Sequence, residues 1–77
     1  MNYTANTVDF HGYTVKEAVE IVDQIIDDCR VLNVSKHYTF ITGRGKIATT
    51  IKDKLKKEGI EHRTMIGNEG VLLVEIE

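Results

Sequence analysis

The sequence predicts an α/β fold: a two-layer β-α-β-α-β-β sandwich, with a four-stranded mixed sheet, two helices on one face and the last strand antiparallel. Two patterns predict it. Two segments repeat apolar residues at helical spacing, and four short runs are rich in β-branched and aromatic residues. Strands separated by helices run parallel through right-handed crossovers, and with only two helices both lie on one face. The last two runs are joined by a tight turn, which makes them an antiparallel hairpin.

The elements follow in order. Thr7–Phe10 is a short strand. Thr14 opens the first helix, because Thr14-x-x-Glu17 has the spacing at which the two side chains satisfy each other's free backbone donors. Val15, Ala18, Val19, Val22, Ile25, Ile26, Cys29 and Leu32 place one apolar face along it as far as Leu32. Tyr38–Thr42 is the second strand, broken by Gly43 and Gly45. Lys46–Glu58 is the second helix, with a narrow stripe of Ile47, Ala48, Ile51 and Leu55, and Gly59 stops it. Glu61–Ile66 is a third, more polar strand, Gly67–Gly70 a turn and Val71–Ile76 an apolar last strand. One domain is expected over residues 7–77, preceded by a tail, residues 1–6.

Composition bounds the function. The chain has 77 residues, 42% apolar and 29% charged, which is ordinary for a globular domain. The longest apolar stretches, such as Val71–Val74, fall far short of the roughly 20 residues needed to span a membrane. Met1–Asn6 has neither a basic n-region nor an apolar h-region, so no signal peptide is expected. The single cysteine, Cys29, cannot form an internal disulfide; it reads as a core thiol, and the chain as cytoplasmic. Net charge is −2, but it is unevenly spread. Residues 1–34 hold two basic against six acidic side chains, a balance of −4. Lys36 to Lys57 holds seven basic side chains and one acid, a balance of +6. Such a basic flank either attracts phosphate or serves as a solubilising surface.

Two polar clusters fall at strand carboxyl ends, where open α/β sheets bind ligands. Asp9 and His11 end the first strand; Thr42-Gly43-Arg44-Gly45 ends the second and leads into a helix N-terminus. Gly43 and Gly45 permit positive φ and close backbone approach. The helix N-terminus favours an anion, and Arg44 and Lys46 add charge and donors. His11 has the chemistry of a general acid or base, and Asp9, two residues earlier, is placed to orient its imidazole. A simpler reading is open for each: a tight turn for the glycines, a cap on the first helix for His11. No metal is expected, since Asp9 and His11 are only two ligands and His37 and His62 have no evident partners. No other cofactor is expected. Tyr3, Tyr13 and Tyr38 are scattered, which is weak evidence for base stacking.

Val8-Asp9-Phe10-His11-Gly12, then Thr42-Gly43-Arg44-Gly45, then Gly67-Asn68-Glu69-Gly70-Val71 with Val74-Glu75-Ile76, resemble in order the signatures of Smr (small MutS-related) domains. The resemblance covers about residues 7–77. It implies a fold like the C-terminal domain of bacterial translation initiation factor three, and nucleic-acid binding. The resemblance also implies an activity, since some Smr domains nick DNA or cleave RNA without a bound metal. The residues held responsible there correspond to Asp9, His11, Gly43 and Gly45, with Thr42 in the loop. Many Smr domains carry a basic residue or histidine early in the second helix, where this chain has Ile47-Ala48-Thr49-Thr50. The resemblance thus implies DNA or RNA as partner. It leaves open a metal-independent endonuclease or a non-catalytic module that binds nucleic acid or a protein.

Overall fold

The computed structural model describes residues 6–76. The elements are β1 (Thr7–Asp9), α1 (Val15–Leu32), β2 (Lys36–Ile41), α2 (Lys46–Lys57), β3 (Glu61–Met65) and β4 (Asn68–Ile76). The sheet order is β1-β2-β4-β3. β1 and β2 are parallel, while β4 runs antiparallel to both β2 and β3. The predicted four-stranded mixed sheet with an antiparallel last strand is therefore the observed one. Of the expected tail, residues 1–6, only Asn6 is described; its carbonyl accepts the Thr39 N–H at 2.8 Å.

Local chemistry explains the helix limits. Thr14 Oγ1 accepts the Glu17 N–H at 3.1 Å, and Glu17 Oε1 accepts the Thr14 N–H at 2.9 Å. The expected reciprocal cap thus opens α1. Asn33 ends α1 in the left-handed conformation, φ 55°, and Val34 N–H returns to the Cys29 carbonyl. Gly59, φ 72°, ends α2 in the same way, with Ile60 N–H returning to the Leu55 carbonyl.

Strand limits differ from the sequence reading at several places. β2 begins at Lys36, because β4 runs beside it from Val71 to Ile76 and gives the polar Lys36 and His37 backbone partners. β4 begins at Asn68, inside the expected turn, and β3 stops at Met65, which leaves a loop of only Ile66 and Gly67. β1 ends at Asp9 and β2 at Ile41, one residue early in each case, although Phe10 N–H still reaches the Ile41 carbonyl at 2.9 Å.

The core lies between the sheet and the helices. Phe10, Phe40, Leu72, Val74 and Ile76 meet Ala18, Val22, Ile26 and Cys29 of α1 and Ile51 and Leu55 of α2. Phe10 and Phe40 pack edge-to-face, centroids 5.4 Å apart. Cys29 is 2% exposed and is a core thiol, as its helical phase predicts. Polar contacts join the two helices at the surface: Lys54 pairs with Asp23 and Glu58, and Arg30 lies 3.0 Å from Glu58. The hydrogen bond that Lys54 donates to the Asp23 carboxylate raises its ammonium above the usual 10.5.

Candidate functional site

The register fixes where the polar clusters meet. Asp9 pairs with Ile41, and Ile41 pairs with Val71. The β1–α1 loop, the β2–α2 loop and the β3–β4 turn therefore leave the sheet at one end. Asp9, His11, Thr42, Gly43, Arg44, Gly45 and Lys46 all lie at this end, as predicted. The β3–β4 turn is the part that sequence reasoning missed as a component of the site. Its signal was the Gly67-Asn68-Glu69-Gly70 run, but its proximity required knowing that β4 lies beside β2.

Roles within the cluster differ from residue to residue. Asp9 Oδ1 accepts the backbone N–H of His11 at 2.9 Å. This is the local turn that an aspartate makes with the amide two residues on; the expected contact between Asp9 and the imidazole is not among the hydrogen bonds of the described residues. The His11 ring is exposed and makes no hydrogen bond among the described residues.

Thr42 is 8% exposed, and its hydroxyl faces inward, 3.0 Å from the Gly43 carbonyl and 3.3 Å from the Gly70 carbonyl. The N–H groups of Thr42 and Gly43 both donate to the Gly70 carbonyl, at 2.9 and 3.0 Å. Thr42 thus fastens the loop to β4. Gly43 has φ 71°, which glycine adopts without strain, and a side chain at Gly70 would sit 3.3 Å from the Gly43 Cα. Gly45 departs from expectation: its φ is −99°, because it occupies the non-helical position just before α2. The close approach here is of backbone to backbone.

Those bonds stop at Gly43. The amides of Arg44 and Gly45 have no backbone acceptor, and the first helical bond of α2 runs from Thr49 N–H to the Gly45 carbonyl. The N–H groups of Lys46, Ile47 and Ala48 therefore have no partner inside the helix. Gly45 supplies no side-chain cap, and the first turn of α2 carries no acid. The result is a cluster of donors at the positive end of a helix dipole, with exposed Arg44 and Lys46 beside it. Arg44 Nη2 lies 3.8 Å from Glu69 Oε1, with both side chains more than two-thirds exposed. So loose and exposed a pair contributes about 0–1 kcal/mol. A shallow depression between Gly43-Arg44 and Gly67–Gly70 adjoins it.

The other candidates fall elsewhere. His37 Nε2 lies 3.6 Å from Glu75 Oε2 on the helix-free face, and His62 Nδ1 pairs with the Ile60 carbonyl at 2.9 Å. Both histidines therefore have partners that the sequence did not reveal. Among the described residues, no three His, Cys, Asp or Glu side chains are grouped to hold a metal ion. Nor is any helix there long and apolar enough to cross a membrane. Tyr3 lies outside the described residues. Tyr38 is half-buried against Phe40, and burial raises its phenol above 10.0. Tyr13 packs on Phe10 and stays exposed.

A two-layer α/β domain with unpaired amides and two exposed cations at the carboxyl end of its parallel strands is the class that fold and site define. The Smr domain profile matches residues 8–77, and the chain belongs to that family. It is similar in structure to the Smr domain of Thermus thermophilus MutS2, with 26% identity, TM-score 0.76, and coverage of 95% of this chain and 99% of that one. The B3BP Smr domain shares the fold at 21% identity and TM-score 0.74, covering 94% of this chain and 78% of that one. So does the human small-MutS related domain, at 24% identity and TM-score 0.71, covering 91% and 99%. Among the curated proteins none matches this chain in sequence. The family is associated with nucleic-acid binding and nicking.

Proposed function

We propose that this chain binds nucleic acid, DNA or RNA, by its phosphate backbone at the β2–α2 corner. The observation that carries the reading is the uncapped start of α2. The amides of Arg44 and Gly45 and of the first helical turn converge there with the cations of Arg44 and Lys46. Lys52, Lys56 and Lys57 extend the basic surface along α2, and no ion pair engages them among the described residues. Membership of the Smr family supports the same reading.

His11 supports a second, finer reading, metal-independent cleavage. It is exposed beside the corner, with its backbone held by Asp9. An imidazole there could accept the proton of a ribose 2′-hydroxyl as it attacks the phosphorus, or protonate the departing 5′ oxygen. Asp9 then serves as a positioning residue acting through the backbone.

The test is incubation of the chain with labelled single- and double-stranded DNA and RNA in chelator, beside His11→Ala. Binding that survives in the mutant while cleavage disappears supports both readings. Binding without cleavage by either protein supports the module and removes the nuclease. Binding to none of the four overturns the nucleic-acid reading and leaves protein recognition.

A further inference from the structure

Ile66 has no role in the fold. It is 99% exposed, at the tip of the two-residue loop between β3 and β4. Gly67, φ 84°, supplies the left-handed residue the loop needs, so the turn does not depend on Ile66. Polar residues, glycine or proline ordinarily stand at such a tip. Isolated exposed apolar residues are common on protein surfaces, but three observations set this one apart.

The first is projection. Between the Leu72–Thr64 and Asn68–Met65 pairs, β4 carries three residues and β3 none. This irregularity bends the hairpin tip out of the regular ladder. The second is support. The base of the tip is fixed, since Gly70 packs against Gly43, its carbonyl takes two amides of the β2–α2 loop, and Asn68 Oδ1 accepts the Gly70 N–H at 3.1 Å. The third is position. The depression that begins at Gly43 and Arg44 ends at Gly67, the residue next to Ile66.

We infer that Ile66 is an apolar wedge that enters the base stack of a nucleic-acid duplex whose backbone is held at Arg44, Lys46 and the start of α2. The inference rests on the proposed phosphate-binding reading and adds to it what the site does with bases. Charge complementarity selects this occupant, because Arg44, a cation suited to phosphate, lines the depression that ends at Gly67 beside the tip. An isoleucine on a rigid support can lodge between neighbouring base pairs, as minor-groove proteins do with apolar side chains. Unstacking costs least where a base is already unpaired, so the wedge makes the protein prefer an interrupted duplex.

The experiment uses paired short duplexes, in DNA and in RNA, that differ by one unpaired base. Each carries 2-aminopurine beside that position, which brightens when its neighbour unstacks. Wild type is expected to favour the interrupted duplex by about tenfold and to brighten the probe. Ile66→Ala, confirmed as folded by circular dichroism, should keep its affinity for the fully paired duplex and its salt dependence. It should lose the preference and the brightening, and Ile66→Leu should recover both. An equal preference in wild type and Ile66→Ala overturns the wedge while the phosphate reading stands. Wild type that binds neither duplex overturns both. Self-association that Ile66→Ala abolishes would assign the tip to a second copy of this chain, and overturn the wedge.

Discussion

The two helices begin at the same end of the sheet and are finished in opposite ways. At α1, Thr14 and Glu17 close the terminus reciprocally and an acid sits in the first turn. At α2, Gly45 offers no side chain, and the first turn holds no acid. Their outer surfaces differ in the same sense. α1 carries Glu17, Glu20, Asp23, Asp27 and Asp28, whereas α2 carries Lys46, Lys52, Lys56 and Lys57 besides the bridging Lys54. A cap contributes about 1 kcal/mol to a helix. The chain takes that stability at α1 and leaves the donors of α2 free. The α1 corner is finished for stability, whereas the α2 corner keeps the free donors on which the proposed phosphate binding rests.

The largest effect is expected at the cations of the α2 corner. Arg44→Glu combined with Lys46→Glu should lower nucleic-acid affinity by tenfold or more. It should also flatten the slope of log affinity against log salt by about 1.8, the amount for two lost phosphate contacts on a duplex. Fluorescence anisotropy at several salt concentrations reads both, and an unchanged slope would separate these residues from the interface.

Converting one corner into the other should have the next largest effect. Gly45→Asp supplies α2 with an acceptor and a negative charge, and a side chain there meets nothing within 4 Å. The variant should gain a few tenths of a kcal/mol in stability while losing several-fold in affinity. Thermal unfolding and binding measured on one sample would show whether the two move in opposite directions. The reciprocal change, Thr14→Ala, should cost about 1 kcal/mol in urea unfolding and leave affinity as it was. A loss of binding there would mean that both corners contact the ligand.

The smallest effect is on the helix layer between them. The Lys54 and Tyr38 groups both hold their protons more tightly in the fold than in the unfolded chain, above 10.5 and 10.0 respectively. Their contribution is present in full below those values and lost as pH rises through the raised ones. The melting temperature should therefore fall above about pH 10, and Lys54→Met should fall less steeply over the same range.

How much of this was legible depends on how local its cause is. The capping box of Thr14 and Glu17, the stop at Gly59 and the core phase of Cys29 are set within one or two turns of chain, and each stands where the residues place it. The convergence of Asp9, His11 and Thr42–Lys46 follows from strand order, which the α–β alternation already implies. What was not legible depends on β4 lying beside β2. That placement draws Lys36 and His37 into a strand, sends the Thr42 and Gly43 amides to Gly70, and sets Glu69 opposite Arg44. The role of Asp9 was ambiguous for another reason. An aspartate two residues before a histidine can reach the ring or the backbone amide, and spacing cannot choose between them.

The most direct test is a titration of the isotope-labelled chain with a short duplex, followed by amide chemical shifts. The largest changes are expected at Arg44, Gly45, Lys46 and Ile47, with Val15 and Lys16 at the start of α1 nearly still. The largest changes at the start of α1, or on the helix-free face around His37 and Glu75, would contradict phosphate binding at the β2–α2 corner.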